Sequence, residues 1–302
     1  MSDHETGDYD IKQCGRCAAW IPRSATMCSY CGSTSPDSRI DPRPSRTPLG
    51  LPPWVTVTRV LIAVNCLYFL FSMWAQIRRY PDTPVGPLLI EGRGFSQMLL
   101  VTGSYRADRV AGGEWWRILS ATFLHGGLVH LAVNMFSLAR LGHFCEELLG
   151  GAKTLAIYVV CAVASTVGTG LWFTYVERLD GAHAPQLVGA SGAICGLAGL
   201  LAAFLLKNGT ESGRRIGWSI LQSVGMMLLL GWIIPFVSNT AHVAGLIPGV
   251  LVGLVVRERF STLVSPQARR NWWLLATIGA VAAGAALARG FLFTTTVLGG
   301  SR

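Results

Sequence analysis

The sequence predicts an all-α protein that crosses a lipid bilayer seven times and carries a small cysteine-rich segment ahead of the first crossing. Of its 302 residues, 51% are hydrophobic and only 14% are charged, and the mean hydropathy is +0.44. A soluble domain carries about 25% charged residues. Seven apolar runs reach or approach the roughly 20 residues that a helix needs to cross a bilayer. Most of this chain is therefore expected to lie in lipid.

The seven runs differ in length and polarity, and their ends are soft by a few residues. The sixth run is short, and the second contains His130, Asn134 and Arg140. No internal repeat of the transporter type is visible among them. The runs are Val55–Gln76, Gly127–Cys145, Thr154–Val176, Leu187–Leu206, Ile216–Pro235, Ala241–Val256 and Trp272–Phe293.

The net charge of +9 would suggest nucleic acid as a partner in a soluble protein. Here the basic residues gather at the ends of the apolar runs, so they indicate orientation in the membrane instead. We expect an integral protein of a prokaryotic plasma membrane, with the N-terminus in the cytoplasm and the C-terminus outside. The inner loops then hold Arg140, Lys153, Lys207, Arg214, Arg215, Arg257, Arg259, Arg269 and Arg270, the short outer segments hold Arg178 and Arg302, and the long first loop breaks the pattern with Arg78, Arg79, Arg93, Arg106 and Arg109.

Composition divides the chain into four parts. Residues 1–32 are polar and rich in cysteine. Residues 33–53 contain six prolines and no apolar periodicity, which is typical of a semi-rigid linker. A seven-span membrane domain follows at residues 54–293, and residues 294–302 form a C-terminal tail.

The loop between the first two runs, residues 77–126, is unusually long. Long loops in compact domains are often functional or partly folded on the surface. Within it, the stretch Glu114–Leu124 contains Trp115 and Trp116, whose rings suit the depth of the lipid headgroups. We therefore predict a helix lying at the membrane interface over this stretch.

The N-terminal segment contains two cysteine pairs, Cys14-x-x-Cys17 and Cys28-x-x-Cys31, separated by ten residues. Four thiolates at this spacing suit the tetrahedral coordination of structural zinc. A segment of about thirty residues has too little core to fold alone, so the metal would supply the folding free energy. Two disulfides or an unstructured reduced tail are the alternatives, although a cytoplasmic location argues against disulfides. We predict a zinc ribbon whose metal is structural and whose partner is a cytoplasmic protein.

Polar residues inside apolar runs are costly, and they indicate function unless packing explains them. In the second run, His130 and Asn134 are four residues apart and so share one face of a helix. Interhelical hydrogen bonding is the alternative for this pair. The fourth run opens with Gly189-Ala-Ser191-Gly192, where glycines permit close backbone approach and the helix start favours an anion.

The sixth run opens with Ala241-His242, and Gly245 and Gly249 follow on nearly the same helical face. A lone histidine here would more often be structural or a proton relay. The second, fourth and sixth runs all cross the membrane in the same direction, and each has its polar residue near its N-terminal end. His130, Ser191 and His242 are therefore predicted to lie at a similar depth in the outer leaflet.

These residue types suit acyl transfer. A serine hydroxyl is a weak nucleophile until a neighbouring base takes its proton, and His242 can do this and then return the proton to the leaving amine. His130, the Asn134 amide and the backbone N–H of Ser191 could stabilise the oxyanion. No Asp or Glu inside a run could orient His242, since Glu146, Glu147 and Glu177 fall at or near run ends. We therefore predict a dyad rather than a triad.

These motifs, in this order and spacing, resemble the rhomboid family over about residues 54–293. The seventh run is similar to the six-plus-one arrangement of some family members, and the cysteine segment lies outside the resemblance. The matching pieces are Trp116-Arg117, His125, His130, Asn134, Glu146, Gly150, Gly189-x-Ser191-Gly192 and Ala241-His242-x-x-Gly245.

The resemblance implies an intramembrane serine protease with Ser191 as nucleophile and His242 as base. It implies His130 and Asn134 as oxyanion-hole residues, and it needs no cofactor for catalysis. The expected partners are membrane lipid and single-span substrate proteins with small or helix-destabilising residues near the cut. The fifth run and the loop before His242 would gate lateral substrate entry. Structural support would come from Gly189, Gly192, Gly245, Trp116 and Arg117, and Trp232 and Phe236 would be the gate aromatics.

Three other functions fit the sequence less well. A non-catalytic rhomboid-like protein that escorts client helices would be favoured by loss of Ser191 or His242, and both are present. A transporter with histidine proton relays usually shows repeats, broken helices or paired acids at the midplane. Nucleic-acid binding by the ribbon is not expected, because its only basic residues are Lys12, Arg16 and Arg23.

Overall fold

The computed structural model describes residues 11–14, 20–28, 55–82, 96–179, 183, 185–208, 211–234, 237–256 and 266–300. The chain divides into two compact units between Val55 and Thr56. The predicted linker at 33–53 and the residues Cys17, Cys31 and Phe236 lie outside the described residues.

The described part of the N-terminal unit is a two-stranded antiparallel ribbon. Strand β1 (Ile11–Gln13) pairs with β2 (Trp20–Pro22). Cys14 follows β1, Cys28 follows β2, and both are buried in one small cluster with Ile21. One cysteine from each predicted pair therefore lies in the same cluster. With their partners outside the described residues, the zinc site stays a prediction.

The second unit is helical throughout its described length, apart from loops and one isolated bridge. Its central helices pack around α7, most of whose side chains are buried. A 3₁₀ turn (Ala121–Phe123) follows α4, and a π-helical turn (Trp172–Val176) extends α6. The helices are α1 (Val57–Arg79), α2 (Ser96–Thr102), α3 (Ala107–Ala111), α4 (Arg117–Ser120), α5 (Leu128–Leu149), α6 (Gly151–Leu171), α7 (Ser191–Asn208), α8 (Glu211–Ile233), α9 (Asn239–Val255) and α10 (Pro266–Gly299).

Among the described residues, six helices are long and apolar enough to cross a membrane. Helix α9, which corresponds to the predicted sixth run, is apolar but has only 17 residues. The predicted all-α, multi-pass architecture is confirmed. Helix α8 differs from the other long apolar helices, because Gly217 is its only buried residue.

The start of α1 is held by a side chain from the far end of α5. The carboxylate of Glu146 accepts hydrogen bonds from the backbone N–H groups of Val57 (2.8 Å) and Thr58 (2.9 Å). The first N–H groups of a helix lack partners within it, and the helix dipole favours an anion there. Gly150, with a φ of +82°, then lets the chain turn from α5 into α6.

The first loop folds more compactly than predicted. The interfacial helix expected over Glu114–Leu124 is only the short α4 followed by the 3₁₀ turn. Trp115 is exposed as expected, but Trp116 is buried, with 4% of its surface exposed. Arg117 holds this loop together, because its buried guanidinium donates to the backbone oxygens of Leu100 (2.5 Å) and Ser104 (3.1 Å).

Candidate active site

Ser191 and His242 are brought together by the first turns of α7 and α9. Helix α7 begins at Ser191, and the hydroxyl of Ser238 caps α9 by accepting a hydrogen bond from the N–H of Ala241. The Oγ of Ser191 lies 2.9 Å from Nε2 of His242, at hydrogen-bonding distance. The His242 ring is buried, and its Nδ1 has no hydrogen-bond partner within the described ranges.

Close backbone packing between α7 and α9 makes this distance possible. A Cβ added to Gly245 would overlap the backbone oxygen of Gly192, and one added to Gly249 would overlap that of Gly196. Such contact needs glycine, because any side chain would push the two helices apart.

Gly189 shapes the approach to Ser191. Its φ of +115° is a conformation that side chains rarely tolerate. Its N–H donates to the backbone oxygen of Ala121 (2.9 Å). A Cβ built on Gly189 would lie 2.9 Å from Nε2 of His130 and 3.7 Å from Oγ of Ser191. The His130 ring therefore borders the same space as the serine hydroxyl.

The hydrogen bonds of His130 determine which ring nitrogen carries the proton. The backbone N–H of Gly126 donates to Nδ1 of His130 over 3.3 Å. In a neutral imidazole, a nitrogen that accepts leaves the other one protonated. Nε2–H of His130 is then a donor facing Gly189. Asn134 is buried, and its amide donates to the backbone oxygen of His130 (2.8 Å), which leaves a second amide N–H.

Trp116 and Arg117 belong to the first loop, and both lie against Phe293 of α10. The Arg117 guanidinium stacks over the Trp116 ring at 4.6 Å and pairs with Glu114. Burial lowers the pKa of Arg117, whereas its hydrogen bond to Glu114 raises it.

The sequence did not point to two further features beside the site. Ser165 on α6 donates to the backbone oxygen of Ala241 (2.9 Å) and so ties α6 to the turn that carries His242. Tyr105 and Leu187 form an isolated antiparallel bridge between the first loop and the segment before Ser191. Ser165 was visible as a polar residue in the third run. The bridge between Tyr105 and Leu187 is made by backbone groups, so no side-chain pattern in the sequence indicates it.

The fold and the site together define a polytopic helical membrane protein in which a half-buried serine at the start of α7 meets a buried histidine of α9. Residues 112–259 match the family model of the Rhomboid domain. The chain belongs to the rhomboid family, whose members are generally intramembrane serine proteases.

Several curated relatives are bacterial. The chain is 33% identical over 151 residues to the putative rhomboid protease YdcA of Bacillus subtilis, covering 50% of this chain and 71% of YdcA. It is 29% identical over 215 residues to the rhomboid protease AarA of Providencia stuartii, covering 66% and 71% respectively. The rhomboid protease GluP of Bacillus subtilis is 30% identical over 154 residues, which is 51% of this chain but only 28% of GluP.

Proposed function

We propose that the protein is an intramembrane serine endopeptidase that cleaves transmembrane substrate proteins with a Ser191–His242 dyad. The observation that carries the proposal is the 2.9 Å separation between Oγ of Ser191 and Nε2 of His242. Polar groups inside a membrane domain are costly to place there, so their presence indicates a function.

The dyad performs both halves of peptide hydrolysis. Nε2 of His242 takes the hydroxyl proton as Oγ of Ser191 attacks the scissile carbonyl carbon, and the carbonyl oxygen becomes an oxyanion. The imidazolium then gives that proton to the leaving amine, and an acyl-serine remains. A water molecule, deprotonated by the same nitrogen, attacks the acyl carbon and releases the carboxylic acid product and the free serine.

Donors around Gly189 stabilise the oxyanion. Nε2–H of His130 faces this space, the first N–H groups of α7 have no acceptor within their own helix, and the amide of Asn134 adds a further donor. Preorganised donors in a site shielded from bulk water are usually a large part of acyl-transfer catalysis.

Substrates for such a site are membrane-spanning helices. A helical peptide bond is sequestered by its own hydrogen bonds, which a lipid environment strengthens. Small or helix-destabilising residues near the cut would lower the free energy needed to unwind that segment. We also propose that the N-terminus is cytoplasmic and the C-terminus outside, from the distribution of basic residues.

A serine-directed probe tests the nucleophile directly. We expect a fluorophosphonate to label the folded protein in detergent, and mass spectrometry to place the adduct on Ser191. Ser191→Ala should abolish labelling, whereas Ser223→Ala should not, because Ser223 is an exposed helical serine that bonds only to its own helix. Absence of a Ser191 adduct on folded protein would favour the non-catalytic escort instead.

We further propose that Cys14, Cys17, Cys28 and Cys31 bind one structural zinc ion and that the ribbon contacts a cytoplasmic protein. The burial of Cys14 and Cys28 in one cluster supports a shared ion. Metal analysis of the purified chain should give about one zinc per molecule. Cys28→Ser should lower that ratio to near zero, and Cys66→Ser, on α1, should leave it unchanged. A ratio that Cys28→Ser does not alter would contradict the site.

A further inference from the structure

The C-terminal half of α10 is joined to the first loop by polar as well as apolar contacts. The buried hydroxyl of Thr294 has one proton and two acceptors within reach, the backbone oxygens of Gly290 in its own helix (2.7 Å) and of Val101 in the first loop (3.2 Å), and it shares the proton between them. At the preceding residue, the centre of the Phe293 ring lies 5.7 Å from the guanidinium carbon of Arg117. A membrane helix that needed only lipid around it would not require a hydrogen bond to a loop.

Gly290 brings the backbone of α10 against the same loop. A Cβ added there would overlap the hydroxyl of Tyr68 and would lie 2.9 Å from the backbone oxygen of Thr102 and 3.2 Å from the Trp116 ring. The Tyr68 hydroxyl donates to that same Thr102 oxygen (2.8 Å). Helices α1, α2 and α10 therefore meet at one point, and only glycine fits it.

Within the loop, side chains transmit this contact from α2 to α4. Arg117 holds the backbone oxygens of Leu100 and Ser104. The Ser120 hydroxyl donates to the backbone oxygen of Gly103 (2.6 Å). Arg117 and Ser120 are buried, so their partners would be costly to leave unpaired. Helix α2, which α10 contacts, is thus fixed to α4 and to the 3₁₀ turn that follows α4.

Two backbone links then join the loop to the residues before Ser191. Tyr105 and Leu187 exchange N–H···O bonds of 3.1 and 3.0 Å, and Gly189 donates to Ala121 over 2.9 Å. Both links lie within four residues of Ser191. The strained Gly189 conformation, which sets the space between Ser191 and the oxyanion donors, depends on them.

We propose that Thr294 and Gly290 of α10 are positioning residues for the reaction, acting through the first loop on the segment 187–189. This rests on the proteolytic function proposed above. Displacing α10 from Val101 loosens the bridge at Leu187 and the bond at Gly189. The serine hydroxyl and the oxyanion donors then spend less time in the reactive arrangement, which lowers the rate of the chemical step more than substrate affinity.

The test compares three threonine variants in the full-length protein. Thr294→Val removes the hydroxyl at nearly constant shape, and Thr294→Ser restores it. Thr296→Val is the matched control, because the Thr296 hydroxyl is exposed and donates to Leu292 of its own helix, its one partner among the residues that the structure describes. Loss of one buried hydrogen bond corresponds to about a threefold to tenfold effect. We expect Thr294→Val to lower kcat and the rate of fluorophosphonate labelling by about that factor, with KM changed less.

Amide hydrogen exchange gives a readout that does not need activity. In Thr294→Val, the peptide covering residues 185–190 should exchange about threefold to tenfold faster, while Thr294→Ser and Thr296→Val match the parent protein. Gly290→Ala should also speed exchange of this peptide and slow labelling. If Gly290→Ala does not fold, the result for Thr294→Val decides the test. Equal exchange and labelling rates in Thr294→Val and Thr296→Val overturn the proposal. A parent protein that neither labels nor cleaves overturns the proteolytic function alone, and the exchange data still test the coupling.

Discussion

Ser191→Ala and His242→Ala should each lower cleavage of a transmembrane test substrate in liposomes by about a thousandfold or more. The two side chains act as a unit, because the hydroxyl is a weak nucleophile without the imidazole and the imidazole has no reaction to assist without the hydroxyl. In serine hydrolases, removal of either member leaves only the catalysis due to binding and the oxyanion hole. We therefore expect the double variant to be no slower than the single variants.

The controls for this experiment separate loss of chemistry from loss of folding. His143→Ala removes an exposed histidine that pairs with Glu147 on α5, and it should leave cleavage within about twofold of the parent rate. Thermal unfolding midpoints of the Ser191 and His242 variants should stay close to the parent value. Persistent cleavage by a pure, folded Ser191→Ala preparation would exclude the proposed nucleophile.

Gly249→Ala should destabilise the membrane unit and also suppress cleavage. The added methyl would overlap the backbone oxygen of Gly196, and backbone cannot move aside as a flexible side chain can. Helices α7 and α9 must then separate, which costs about 1–3 kcal/mol or more. The same separation lengthens the contact between Ser191 and His242, so we expect cleavage to fall about tenfold or further. Unfolding and cleavage measured on one preparation report both effects.

Gly225→Ala is the matched control for this substitution. It makes the same change in another apolar helix, α8, where an added Cβ meets nothing within 4 Å. Alanine favours helix over glycine by about 1 kcal/mol, so this variant should be as stable as the parent or slightly more so. Equal stability and activity in the two alanine variants would contradict the account of close packing between α7 and α9.

Much of the membrane unit was predictable because lipid imposes a simple requirement on sequence. A helix surrounded by hydrocarbon must be apolar along its whole length, so the runs found in the sequence correspond to the observed helices within about six residues. The largest difference is at α10, which starts at Pro266 and runs to Gly299, into the predicted tail. The same requirement made Ser191 and His242 conspicuous. A similar depth for the two residues was predictable because the fourth and sixth runs cross the membrane in the same direction and each has its polar residue near its N-terminal end. In the structure, Oγ of Ser191 lies 2.9 Å from Nε2 of His242.

Details that depend on backbone groups from distant parts of the chain were not predictable. The fourth run was expected to begin at Leu187, but α7 begins at Ser191. Residues before it are taken up by the bridge from Leu187 to Tyr105 and the bond from Gly189 to Ala121. Backbone N–H and C=O groups are the same in every residue, so such pairings leave no pattern. Likewise, nothing local indicates that the Glu146 carboxylate caps α1, 89 residues earlier at Val57.

The hydrogen bond between Ser191 and His242 joins positions 51 residues apart on separate helices. During synthesis, the serine segment is made and inserted well before the histidine segment follows it. Until then the hydroxyl is an ordinary alcohol, with no base to activate it. Under the proposed mechanism, a nascent chain is therefore chemically inert toward neighbouring membrane proteins until α9 has packed against α7.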